Sequence, residues 1–192
     1  MPLLPKVPIM PTFDSPIAEL LSSKLIPSVL TALLNAPLPG LRPGPRHAEL
    51  AQLIDNAQTL TAADVQLSAN ARLALESALW LVADELDRSH AISQNLATPE
   101  GSFWHGVMHR READFSNAKY WFHKAREQSF YKPLAAAIAA DPLAAEIQSG
   151  PTWDPSEFVD QCQQAIRGGG QLQQQCQRAQ CLEWQFAVAA LF

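Results

Sequence analysis

Between Ala74 and Leu86 the chain is apolar nearly all round a helix. A helix of that kind has no face for water and has to be wrapped by other elements. No segment of the chain alternates apolar and polar residues with period two, so the wrapping elements are expected to be helices. This predicts an all-α chain, a compact bundle-like domain of about seven to nine helices. At 192 residues the domain buries about 70% of its unfolded surface without staples. The buried run sits inside a longer helix predicted from about Ala69 to Gln94, with Ser68 as its N-cap.

The other helices follow from start and stop signals. Residues 46–57 form a short amphipathic helix, and Thr98-Pro99-Glu100-Gly101 breaks the chain before a helix over 102–112. A further helix is predicted over 117–127, with Asn117 at its cap, and a small-residue helix over 135–140 ends at Asp141-Pro142. Asp154-Pro155-Ser156-Glu157 is a strong helix start, with an N-cap acid, a proline at the first position and an acid to complete a capping box. That helix stops at Gly168-Gly169-Gly170, and the last one runs from about Gln171 to Ala190. Ten glutamines between residues 161 and 185 suggest a solvated face or a subunit contact, hence a homo-oligomer as one expectation.

Proline divides the chain. Ten of the fifteen prolines lie in residues 1–46, and Pro2, Pro5, Pro8 and Pro11 recur at the turn length of polyproline II. Residues 1–45 therefore read as an extended arm, one helical segment (Ser15 to Ala36, interrupted at Pro27) and a connector (Pro37 to Pro45). Residues 46–192 read as the helical domain. The arm would either serve a partner as a PxxP ligand or pack along its own protein or a neighbouring subunit.

Charge and cysteine usage narrow the class. Lys plus Arg number 14 against 19 Asp plus Glu, a net charge of −5, which speaks against nucleic acid as a partner. No apolar run approaches the length of a membrane span. Cys162, Cys176 and Cys181 are odd in number and lack a CxxC spacing, so neither a disulfide framework nor a zinc knuckle is expected. A soluble chain of a reducing bacterial cytoplasm is the expectation.

The chemistry is concentrated between residues 80 and 124. Four of the five histidines lie between residues 90 and 123, and three of the five tryptophans between 80 and 121. Interleaved aromatic and ionisable groups are costly to bury unless the polar ones are paired, so the stretch is either a satisfied network or a ligand site. On a helix His105 and His109 stand about 40° apart, with Glu112 about 20° to the other side of His105. Two imidazoles and a carboxylate on one stripe form a recognised ligand set for a divalent metal. Asp87, His90 and Gln94 form a second polar stripe on the preceding helix. The two stripes would meet if the helices form an antiparallel hairpin. Asp84 and Arg88 are spaced to pair at i, i+4.

Three readings stay open. In the first, the protein binds a small anionic molecule, held by Arg110, Arg111 and Lys119 beside a wall of Trp104, Tyr120 and Trp121, with Asp87, His90, His105, His109, Glu112 and Asn117 around it. In the second, the protein is an enzyme or metal protein using His105, His109 and Glu112, with Asp87 and His90 as further ligands or acid–base groups, either with a divalent metal or as a metal-free acid–base site. In the third, the block is structural, its arginines paired with acids on other helices. Glu183 is a candidate partner for Arg110 or Arg111.

The string Phe103 to Phe122, with its Trp-His-x-x-Met-His-Arg-Arg-Glu block followed by Asn-Ala-Lys-Tyr-Trp, resembles the hallmark of a bacterial family of all-helical proteins without an assigned function. Ser89-His90-x-Ile-Ser-Gln94, Trp153-Asp154-Pro155 and Glu183-Trp184 agree with it, so that the similarity spans about residues 70–190. The resemblance implies a genuine helical domain and carries no reaction or substrate.

Overall fold

The computed structural model describes residues 15–36, 39–56, 61–62 and 65–192. The proline-rich segment before residue 15, with its PxxP spacing, lies outside them. Among the described residues there are ten α-helices: α1 Ser15–Lys24, α2 Pro27–Asn35, α3 Ala48–Asn56, α4 Ala69–Val82, α5 Leu86–Ser93, α6 Pro99–Arg111, α7 Phe115–Ala125, α8 Tyr131–Ala140, α9 Pro155–Gly168 and α10 Gly170–Ala189. A single 3-10 turn covers Ala145–Ile147, and the strand-like geometry is confined to one isolated bridge between Leu25 and Thr61. The fold is all-α, as the missing period-two pattern predicts.

The count exceeds nine because the helix expected over 69–94 is two helices. Asp84 sits between α4 and α5 with φ 59°. Its amide donates to the Leu81 carbonyl, and the Glu85 amide donates to the Trp80 carbonyl. These two bonds close a helix C-terminus around a left-handed residue, an arrangement that usually recruits glycine. The same closure ends α6, where Ala113 has φ 64°, Ala113 N–H donates to the Arg110 carbonyl and Asp114 N–H to the His109 carbonyl. Neither corner carries a glycine, so neither announces itself in the sequence.

The N-caps are easier to read. Ser68 accepts from the Ala71 amide and opens α4, and Thr98 accepts from the Gly101 amide with Pro99 at the first position of α6. Asp154 accepts from the Ser156 and Glu157 amides and opens α9. The Glu157 carboxylate binds Ser149 Oγ, so the expected capping box is only half made. The cap of α7 is Asp114, which accepts from Asn117 N–H and Asn117 Nδ2, rather than Asn117 itself.

From Ala74 onward α4 is largely buried, as its apolar circumference requires: Ala74, Leu75, Ala78, Leu79, Trp80 and Leu81 all lie in the core. Yet α6 is the more completely wrapped helix, with ten of its thirteen residues buried. It packs against α4, α5 and α7, while α7 rests on α9 and α9 on α10. Leu21, Leu25, Val29, Ala32 and Leu33 of α1 and α2 join the same hydrophobic core. Cys162 of α9 and Cys176 of α10 are both buried and free, and burial raises the Cys162 thiol.

Close approach around α6 depends on two glycines. A Cβ on Gly106 would stand 2.9 Å from the Phe122 ring of α7, and one on Gly101 would stand 2.1 Å from the Leu96 carbonyl oxygen in the preceding turn. The ring can tilt, but the backbone carbonyl cannot move without opening the α5–α6 turn. Gly101→Ala is therefore expected to destabilise the fold by about 3 kcal/mol or more. Gly106→Ala should cost less, and urea unfolding of both variants gives the order.

Candidate metal centre

Helix α6 carries two arginines into the interior in different directions. Arg110 and Glu183 of α10, each 1% exposed, form a bidentate pair: Nη1 donates to Oε1 at 3.1 Å and Nη2 donates to Oε2. Trp153 Nε1 donates to the same Glu183 Oε1 at 3.0 Å. Burial opposes the Arg110 charge and Glu183 outweighs it, so the guanidinium stays charged. Arg111 reaches the α4–α5 corner, where Nη2 donates to both Asp84 oxygens at 3.0 Å and Nη1 to the Leu81 carbonyl at 3.2 Å. Asp84 also accepts from the Gly44 amide. It does not pair with Arg88, which binds Asp55 at 2.6 Å and lies 3.6 Å over the Trp80 ring. Both arginines are thus internal partners of the fold and present no free guanidinium to an anion.

Other residues of the dense stretch are dispersed. Lys119 binds Asp160 of α9 at 2.7 Å. Tyr120 is 54% exposed, whereas Trp104 is 1% exposed and packs edge-on to Phe103, near Ala187 of α10 and Leu191 just beyond it. Trp104, Tyr120 and Trp121 therefore do not form one wall. Asp87 is exposed on α5. A cleft of about 390 Å³ lies between the 39–45 connector and α10, lined by Arg42, His47, Asp84, Gln173 and Gln177, and none of His90, His105 and His109 lines it.

What α5 and α6 do bring together is three histidines. The His90 ring is 4.8 Å from that of His105 and 5.5 Å from that of His109, and His105 and His109 stack at 4.7 Å. One potential donor atom from each lies within 4.8 Å of the others. The hairpin joining the two stripes is real, and it substitutes His90 for Glu112 in the cluster. Glu112 sits at the end of α6, where its Oε2 is 3.4 Å from His109 Nδ1, an ion-pair distance without hydrogen-bond alignment. Asp114 Oδ2 lies 3.9 Å from the same nitrogen.

His105 is the most unusual member. It is 3% exposed, its ring stacks on Trp121 at 4.0 Å, and neither ring nitrogen has a hydrogen-bond partner among the described residues. Burial, and then repulsion from His109, His90 and Lys124, lower its pKa to about 4. Burial also lowers His109, against the opposing pull of Glu112 and Asp114. At neutral pH His105 is an uncharged imidazole with an available lone pair, the form that binds metals. Trp121 was legible as an aromatic near the site, but its stacking on His105 depends on how α7 folds back across α6.

No family model, no curated protein and no solved structure matches the chain. No helix among the described residues is long and apolar enough to cross a membrane. The geometry of the trio is therefore the chief guide to its chemistry.

The lowered His105 pKa has a sign. The unfolded chain binds a proton near pH 6.5, whereas the folded protein resists it until about pH 4. This group's contribution is fully favourable above 6.5 and is lost as pH falls through that window. The metal-free protein is expected to lose about 3 kcal/mol of stability from this source on acidification. His105→Phe, which retains a ring against Trp121, should flatten that slope in urea unfolding measured across the pH range.

Proposed function

We propose that the protein is a transition-metal protein whose centre is formed by His90, His105 and His109. The observation that carries this reading is His105, a buried imidazole with both nitrogens unpaired and two further imidazoles within reach. Leaving a buried donor and acceptor unsatisfied costs about 1–3 kcal/mol each, and a metal relieves the acceptor. Three imidazole nitrogens on one metal ion stand about 3.3 Å apart at zinc–nitrogen bond lengths. Binding would draw the donors inward from their present 4.8 Å limit by small rotations. Neutral imidazoles favour zinc, copper, nickel or iron over magnesium or calcium. Glu112 and Asp114 beside Nδ1 favour a proton on that nitrogen of His109 and leave Nε2 for the metal, the usual task of a carboxylate behind a ligating histidine.

The anion-binding alternative is less favoured, because Arg110 and Arg111 already hold Glu183 and Asp84. We also propose membership of the bacterial helical family named above. Its block supplies two of the three imidazoles, both buried arginines and the fully buried Met108, and its Ser-His element supplies His90.

Calorimetric titration of chelator-treated protein with zinc or cobalt tests the centre. One metal per chain, with protons released on binding, is the expected result. His105→Ala should weaken binding by at least about a hundredfold, an estimate set by the loss of one of three ligands. His123→Ala, an exposed histidine outside the cluster, should leave it unchanged. Absence of stoichiometric uptake by the folded wild-type chain would refute the proposal.

A further inference from the structure

Resting on that metal centre, we infer that the bound ion keeps a coordination position open and that this position takes a small anion directly, a carboxylate or an inorganic anion of similar size. Three features carry the inference. First, the cluster comprises three protein donors and no fourth His, Cys, Asp or Glu of the described residues within the same mutual reach. Three protein ligands with a vacant position are the pattern of reactive sites, whereas closed structural sites use four. Second, all three ligands are neutral, so a divalent ion would retain its full charge. The nearest carboxylates are turned elsewhere: Glu112 stands on the Nδ1 side of His109, and Asp114 is engaged by Asn117, Ser116 and the start of α7. Third, the side chains differ in access. His105 is sealed beneath Trp121, while His90 and His109 are only partly buried, so solvent approaches from their side.

Lys124 reinforces the preference for an anion. Its Nζ lies 4.7 Å from the Trp121 ring centroid and 5.4 Å from that of Tyr120. It carries no carboxylate partner among the described residues. A metal dication held by His105 and the Lys124 ammonium, both beside the Trp121 indole, repel each other, and an anion on the metal relieves the repulsion. The ligand class this fits is a small molecule presenting one carboxylate, or an inorganic monoanion.

Cobalt(II) in place of the native metal makes the first coordination sphere visible through its ligand-field absorption. The full chain is loaded with cobalt and titrated separately with azide and with acetate. A saturable change in the cobalt spectrum with each anion is expected. Lys124→Gln should retain the cobalt spectrum and weaken both anions about twofold to fivefold, the effect of one exposed charge. A cobalt spectrum that stays unchanged through both titrations overturns the open anion position while leaving the three-histidine centre intact. Failure of the folded chain to show any cobalt absorption overturns the centre and this inference together. Anion affinities unaffected by Lys124→Gln overturn the part assigned to that lysine.

Discussion

The buried pair between Arg110 and Glu183 fixes the rotation of α6, and most of the interior follows from that rotation. A paired buried charge adds little net stability compared with an apolar replacement, but removing one partner leaves the other stranded and costs about 3–5 kcal/mol. Such a pair selects one arrangement over its competitors. Arg111, about 100° further round the helix, has to meet its own acid at the α4–α5 corner. With both guanidiniums anchored, His105 and His109 have one orientation open to them, facing α5 and His90. The neutral imidazoles are therefore set in place by two charges that do not touch them.

The sequence showed the class of fold and the location of the chemistry more clearly than the connections between elements. An apolar circumference on α4, the caps at Ser68 and Asp154, and the crowding of His and Trp are local properties, and local properties survive folding. The corners at Asp84 and Ala113 were hidden because each adopts a left-handed conformation without glycine. At Asp84, tertiary bonds from Arg111 and Gly44 compensate the backbone cost of about 1 kcal/mol. Polarity also misplaces the centre of the molecule. Helix α6, with its arginines and histidines, reads as either a satisfied network or a ligand site, and it is the best-wrapped of the described helices because acids at residues 84 and 183, distant in sequence, pair with its arginines.

The candidate site illustrates the same limit. Helical spacing correctly puts His105 and His109 on one stripe, and it puts Glu112 there too. Spacing describes directions around an axis and says nothing of what stands opposite. Once α5 folds back, His90 occupies the space facing the two imidazoles, and Glu112, at the end of α6, falls beside the far nitrogen of His109. Trp121 then closes the other face of His105. An imidazole held between rings has few rotamers to lose on binding, a form of preorganisation that raises affinity without an added contact.

All three imidazoles come from residues 90 to 109, on two consecutive helices joined by the short turn 94–98. Closing a loop of this size carries a small entropy cost, since each doubling of loop length adds only about 0.6 kcal/mol. The imidazoles of the cluster are close in sequence, whereas the arginines reach Glu183 and Asp84 across longer stretches of chain. The arrangement separates two tasks along the chain: nearby residues gather the imidazoles, and distant acids lock the helix that bears them.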